Sequence, residues 1–141
     1  MVFNREQTYH EASALGIDAE FISTLVETFY GRIEAHETLG PIFERAIEDW
    51  PPHLAAMKSF WSSVALSTGE YSGQPVPAHR KHLNIMAPED FKAWLTLFRQ
   101  TLDDVGPSQA VTDYFMMRAE RIADDLQLAL FGAPALGRPK F

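Results

Sequence analysis

The sequence predicts an all-α protein. In each of four long apolar segments, apolar residues recur at spacings of three and four, which places them on one face of a helix. No segment shows the alternation of apolar and polar residues that is typical of a half-buried strand. Glycine and proline are frequent between the segments, where these residues interrupt helices. The chain is therefore predicted to consist of helices joined by turns.

The first long helix is predicted to begin after Asp18, a residue type that favours the N-cap position, and to extend for about 18 residues. Tyr30 lies on its apolar stripe, so the phenol is predicted to point inward and to need a hydrogen-bond partner. Residues 39–43 (LGPIF) interrupt the helical pattern and are predicted to begin a short second helix.

The next long helix is predicted to start after Asp49, because Pro51 and Pro52 are tolerated only in a first helical turn. It has apolar residues on two neighbouring faces, so it is predicted to be sandwiched in the middle of the fold. One of these faces carries His53, Met57, Phe60 and Val64.

A turn-rich stretch at residues 71–83 (YSGQPVPAHRKHL) interrupts the chain near its midpoint. Gly73 and Pro75 are predicted to end the preceding helix, because both residue types break helical patterns. Pro77 is then predicted to begin a short segment that presents a histidine. A histidine delivered by a turn into a helical protein marks this stretch as a candidate site for a metal or cofactor.

Two further long helices are predicted at residues 88–105 and 108–131. The length of 141 residues predicts a single domain over residues 1–131, with residues 1–17 as an N-terminal extension. Residues 132–141 are rich in glycine and proline and are predicted to form a flexible tail.

Composition excludes several classes of function. The chain has 19 acidic and 12 basic residues and no concentrated run of Lys and Arg, so it is predicted not to bind nucleic acid. The absence of cysteine excludes disulfides, thiolate metal sites and iron–sulfur clusters. No apolar stretch is long enough for a membrane span or a signal peptide, so a cytoplasmic protein is expected.

The five histidines differ in their surroundings. His10 and His36 lie in polar segments near turns and are predicted to be ordinary surface residues. His53 lies on an apolar helix face, where it either faces a ligand or satisfies a polar group of the core. His79 and His82 are three residues apart, but a non-heme metal site needs further ligands, and the Glu-x-x-His and His-Glu-x-x-His motifs are absent. The plain alternative for this pair is one buried and one exposed histidine.

The inward-facing histidines and aromatic residues match what a large planar cofactor carrying iron would need. Such a cofactor requires an imidazole ligand, an apolar slot and a few hydrogen-bond donors. The helices offer His53, Tyr30 and Trp94 among Phe, Met, Leu and Ile, and the turn offers a further histidine. An ordinary aromatic core has the same pattern, so the inventory alone leaves both interpretations open.

The chain resembles the truncated hemoglobins, and specifically their bacterial group III branch. Four segments carry the resemblance: FYGRI at 29–33, LGPIF at 39–43, DWPPHLAAMKSFWSSVALSTGEYSGQPVPAH at 49–79, and FKAWLTLF at 91–98. It spans roughly residues 18–131 and implies a globin-like sandwich of two helices over two.

The resemblance also implies the position of the iron ligand. The proximal histidine of the family follows the turn proline by four residues, which from Pro75 gives His79, with His82 as the alternative metal ligand. Arg80 and Lys81 are candidates to pair with heme propionates, although charged residues beside a turn are commonly just solvated.

On the distal side, the resemblance implies that Tyr30, His53 and Trp94 stabilise a bound ligand through hydrogen bonds. Phe43 corresponds to the phenylalanine that packs against the heme at the corner between helices. The full set of residues expected to contact the cofactor is Phe43, His53, Met57, Phe60, His79, Phe91 and Trp94.

The function implied is a heme b protein that binds dioxygen or another diatomic gas, NO or CO, at five-coordinate iron. One alternative is a heme enzyme, a nitric oxide dioxygenase or a protein with peroxidase-like activity. A remote alternative is a cofactor-free helical interaction domain in which Tyr30, His53 and Trp94 are ordinary core residues. The expected partners are the gas ligand and an unidentified reductase, with no membrane contact, and the chain is expected to be a monomer or a weak homodimer.

Overall fold

Helices dominate the fold, which the computed structural model describes for residues 5–69, 73 and 75–132. The described residues contain no strand, so the predicted all-α class is confirmed. None of their helices is both long and apolar enough to cross a lipid bilayer. The helices are α1 (Arg5–Ala14), α2 (Ala19–Ala35), α3 (Leu39–Ala46), α4 (Trp50–Leu66), α5 (Pro75–Arg80), α6 (Pro88–Val105) and α7 (Gln109–Phe131), with a 3₁₀ turn at Leu83–Ile85.

The core lies where the long helices cross. Helix α2 packs against α4 and α6, and α6 packs against α7. The ring of Trp61 stacks on Phe98 with centroids 5.0 Å apart, and Phe29 meets Phe98 edge to face at 4.9 Å. Phe115 of α7 completes this fully buried aromatic group. Offset and edge-to-face pairs of this kind add to the stability gained from burial alone.

Most of the predicted helix starts are confirmed. The Oδ1 atom of Asp18 accepts the backbone N–H of Phe21 at 2.8 Å, which is the expected N-cap of α2. The Oγ atom of Ser108 accepts the N–H of Val111 at 3.3 Å and caps α7. Asp49 stands at the N-cap position of α4, but its side chain makes no capping bond. The prolines of the first turn favour this start by fixing the backbone.

The prediction that α4 is sandwiched between other elements is only half right. One face packs into the core, where Trp61 is 2% exposed and Ala65 is fully buried. The other face, with His53, Met57 and Phe60, is half-buried and lines a cavity. A helix face that lines an apolar cavity has the same composition as one that packs against a second helix, which explains the error.

The predicted end of this helix was wrong. Gly73 and Pro75 were expected to end it, but α4 ends at Leu66, and Pro75 begins α5 ahead of the predicted Pro77. Just past this end, Arg5 of α1 donates from Nε to the Ser67 carbonyl and from Nη2 to the Thr68 carbonyl, both at 2.9 Å. Ser67 itself adopts the left-handed conformation at φ 58°. Residues 70–72 and 74 of the predicted turn, and residues 133–141 of the predicted tail, lie outside the described residues.

His36 is a capping residue rather than an ordinary surface residue. Its Nδ1 atom accepts the backbone N–H groups of Thr38 at 3.1 Å and Leu39 at 3.0 Å, which satisfies donors at the start of α3. The corner is tight, because a Cβ atom on Gly40 would lie 2.7 Å from the Glu34 carbonyl oxygen. His36 and Gly40 together hold α3 against the end of α2.

Replacing His36 with Ala is expected to lower the free energy of unfolding by about 1 kcal/mol, as the loss of other N-caps does. The variant His36→Asn should retain most of the stability, because the Asn Oδ1 atom reaches the position of the histidine Nδ1 atom. Urea denaturation of the heme-free protein measures both, with the exposed His10→Ala as control. Equal stability of His36→Ala and the unmodified protein would contradict the capping role.

Candidate functional site

A cavity of about 440 Å³ opens between α3, α4, α5, α6 and α7, with Tyr30 of α2 at its edge. This volume is in the usual range for sites that bind cofactors and other small molecules. Its wall is mainly apolar, with a few polar side chains. The residues that the family resemblance assigned to the site all line it: Tyr30, Phe43, His53, Met57, Phe60, His79, His82, Phe91 and Trp94.

Tyr30 and His53 form one side of the cavity. The Tyr30 side chain is 5% exposed, and its ring meets the His53 ring edge to face with centroids 5.1 Å apart. The ring of Phe43, on α3, packs against the same tyrosine with ring centroids 6.0 Å apart. The tyrosine is inward, as its place on the apolar stripe of α2 predicts.

One polar atom of the His53 ring is buried. Its Nε2 atom lies out of contact with solvent and forms no hydrogen bond within the described part of the chain. Burial lowers the pKa of His53, and the nearby His79 lowers it further, so the imidazole is neutral at neutral pH. A buried polar atom left unpaired destabilises a protein, and such atoms mark binding sites. The alternative in which His53 satisfies a core polar group gains no support from this atom.

Trp94 is held rigidly by its neighbours. Its ring stacks on Phe98 with centroids 5.1 Å apart and an interplanar angle of 18°. Phe29 meets the same indole edge to face, also at 5.1 Å. These contacts leave the indole at the cavity wall in a defined orientation, where its N–H is the only donor that a tryptophan side chain offers.

His79 approaches the cavity from the short helix α5. Its Nδ1 atom lies 2.7 Å from the carbonyl oxygen of Pro75, one turn earlier in the same helix. Because a carbonyl oxygen can only accept, Nδ1 carries the proton in the neutral ring, and Nε2 keeps a lone pair for a metal. This is the usual way in which proteins orient a histidine ligand. The Phe91 ring lies beside the His79 imidazole, with ring centroids 6.4 Å apart.

His82 also lines the cavity, at the start of the 3₁₀ turn. Its ring forms no comparable hydrogen bond to the described backbone, so its tautomer is not fixed in the same way. The choice of His79 over His82 as the iron ligand stays a prediction of the family resemblance.

The two basic residues that follow His79 point in different directions. Arg80 is exposed, and its Nη2 atom donates to the carbonyl oxygen of Ala129 in α7 at 3.1 Å. Lys81 is also exposed but borders the cavity. Of the two cations, Lys81 is the one available to a negatively charged group at the cavity mouth.

No group of three or more histidine, cysteine or carboxylate side chains that would hold a bare metal ion occurs in the described ranges. A metal in this cavity would therefore have to bring most of its own ligands. An iron porphyrin would do so, because its pyrrole nitrogens already bind the iron.

Sequence reasoning missed the part of the wall that α7 supplies. Ile122, Ala123 and Leu126 line the cavity. Ile122 and Leu126 stand at helical spacing on the apolar stripe of α7, and this signal does not distinguish a cavity wall from an ordinary core. Only the position of α7 beside α5 assigns them to the site.

Comparison with known proteins identifies the family, although no protein-family model matches the chain. The sequence is 36% identical over 121 residues to a group 3 truncated hemoglobin of Campylobacter jejuni. This match covers 82% of this chain and 92% of that protein. It is 29% identical over 109 residues to a group 2 truncated hemoglobin of Bacillus subtilis, covering 76% and 81% of the two chains.

The structural comparison agrees. The crystal structure of the group III truncated hemoglobin from Campylobacter jejuni matches with a TM-score of 0.72 at 35% sequence identity. The match covers 84% of this chain and 96% of that one. Both the sequence and the fold place this chain among the truncated hemoglobins, and it belongs to their group III branch.

Proposed function

We propose that the chain binds one heme b in the cavity, with His79 as the iron ligand, and reversibly binds a diatomic gas such as O₂, NO or CO. The observation that carries the proposal is a pair of imidazoles at one apolar cavity. The Nδ1 atom of His79 is hydrogen-bonded to the Pro75 carbonyl, which leaves the Nε2 lone pair for a metal. The Nε2 atom of His53 is buried and has no hydrogen-bond partner in the described residues. The relatives are named hemoglobins, which agrees with this proposal.

The residues present fit heme b rather than a covalently attached heme. The cavity wall is mainly apolar and offers histidine, the residue type that holds heme iron in globins. The chain contains no cysteine, so no thioether bond to the porphyrin can form. Lys81 is the residue we assign to a propionate, because Arg80 is directed to α7.

When bound, heme iron supplies an open coordination position for the gas. Tyr30, His53 and Trp94 line the same cavity as His79, and each carries a group that can donate a hydrogen bond to a ligand there. A donor that stabilises negative charge in a site that excludes water contributes about 1–3 kcal/mol. Neutral His53 provides such a donor when its Nε2 atom is protonated, and a ligand in the cavity would satisfy that buried atom.

The proposal is tested by titrating the purified heme-free protein with hemin. We expect the intense absorption band of a bound porphyrin to saturate at one heme per chain, and the heme to be extracted intact by acidified organic solvent. In the ferrous protein, O₂ and CO should each shift the spectrum reversibly. Failure to reach one heme per chain would overturn the proposal and favour the cofactor-free helical domain. A reductase that keeps the iron ferrous is part of the proposal for reversible O₂ binding.

A further inference from the structure

We propose that Arg80 is a positioning residue for the iron ligand, because its guanidinium holds helix α5, which carries His79, against the last turn of α7. The inference rests on the proposed function, since it takes His79 as the heme ligand. It assigns Arg80 a role different from the pairing with a propionate that its place beside His79 suggests.

Helix α5 depends on contacts with the rest of the protein. It has only six residues, none of them buried, and a helix this short is unstable in water by itself. Among the described helices, its most extensive contacts are with α7. On the apolar side, Val76 packs against the small cluster formed by Phe91, Ala123 and Leu126. On the polar side, Arg80 reaches the carbonyl of Ala129 at 3.1 Å.

The end of α7 is suited to receive a cation. The last four carbonyl groups of a helix have no partner within it, and they carry the negative end of the helix dipole. The last turn of α7 contains no basic residue of its own. The Leu128 carbonyl accepts the N–H of Gly132, and the Ala129 carbonyl accepts from Arg80. The contact is therefore a charge-assisted hydrogen bond that satisfies a terminal carbonyl of α7.

The same arrangement occurs at the end of α4. There Arg5, from a different helix, donates to the carbonyls of Ser67 and Thr68. In both places an arginine distant in sequence completes a helix C-terminus and joins two helices.

The position of the His79 imidazole follows the position of α5. Its ring is bonded to the Pro75 carbonyl inside the same helix, so a displacement of α5 carries the ring and its Nε2 atom along. Functional side chains need positioning to within about 0.5 Å, and rigid supporting contacts provide it. Arg80 is the next residue in the chain, so its bond to α7 limits the movement of the ligand most directly.

The first test uses the heme-free protein and three variants. Arg80→Met removes the donors and keeps an unbranched apolar chain, Arg80→Lys keeps the charge, and Arg121→Met is a control that removes one exposed cation from α7. Amide hydrogen exchange should become about threefold to tenfold faster in α5 and in the last turn of α7 for Arg80→Met, the range expected from loss of one hydrogen bond. The exchange rates of Arg80→Lys should lie between those of Arg80→Met and the unmodified protein. Those of Arg121→Met should match the unmodified protein in these segments.

The second test uses the heme-loaded protein. In Arg80→Met, heme transfer to an excess of a competing apoprotein should be about threefold to tenfold faster, and the iron–histidine vibration should shift or broaden. Heme transfer, vibration and exchange rates equal to those of Arg121→Met would overturn the role of Arg80 and leave His79 as ligand. Retention of the iron–histidine vibration in His79→Ala would instead refute the assignment of His79 as ligand, and the Arg80 proposal with it. Faster amide exchange in α5 of Arg80→Met would then show only that Arg80 stabilises α5.

Discussion

Replacing His79 with Ala is expected to abolish stoichiometric heme binding. The apolar cavity alone would still attract the porphyrin weakly, but the iron would lose the imidazole that we assign as its ligand. Titration of the heme-free variant with hemin, followed by absorption spectroscopy, measures the loss. Because no residue of α5 is buried, the variant should keep the helical content of the unmodified protein, which circular dichroism checks.

His82→Ala is the matched control, because His82 lines the same cavity three residues later. It should bind one heme per chain with an unchanged spectrum. A second control is His79→Gly with added imidazole, which should restore a five-coordinate heme if the missing ring is the cause. Normal heme binding by His79→Ala together with loss of binding by His82→Ala would reverse the assignment.

Replacing Tyr30 with Phe is expected to accelerate O₂ dissociation by about 5-fold to 150-fold, the equivalent of about 1–3 kcal/mol. The substitution keeps the buried ring, with its contacts to Phe43 and His53, and removes only the hydroxyl. A lost hydrogen bond to a ligand appears mainly in the dissociation rate. Stopped-flow measurement with an O₂-scavenging or CO-displacement method gives that rate.

Tyr114 provides the matched control for this substitution. It is also buried, but its hydroxyl donates to the Ala65 carbonyl at 2.9 Å and lies away from the cavity lining. Tyr114→Phe should lower stability by about 1 kcal/mol through the lost hydrogen bond and leave O₂ dissociation unchanged. An unchanged rate in Tyr30→Phe would show that His53 or Trp94 is the dominant donor.

Local chemistry is sufficient to predict where the four long helices begin. Asp18 and Ser108 cap α2 and α7 through their own side chains, and prolines favour the starts of α4 and α6. The end of α4 was not predicted, and the residues that follow it bond to Arg5, more than sixty residues away in sequence. A sequence pattern carries no information about such a contact.

The resemblance predicts the residues of the site. Residue type and spacing alone do not distinguish residues that contact a cofactor from residues of an ordinary core. Spacing placed His53 on an apolar face, but whether its ring has a partner depends on what lies across the cavity. The prediction of His79 over His82 comes from the resemblance, and the bond from the His79 ring to the Pro75 carbonyl lies within α5, whose start was not predicted. His36 was misjudged because polar surroundings in the sequence conceal a capping role in the structure.

The location of the fully buried aromatic group has a consequence for how the cofactor enters and leaves. Phe29, Trp61, Phe98 and Phe115 belong to α2, α4, α6 and α7, and α5 contributes no buried residue. Local opening of α5 therefore exposes its side of the cavity without disturbing the principal core, and a segment with so few buried contacts opens at low free energy. If His79 holds the heme as proposed, exchange of the cofactor requires partial unfolding of only one short helix.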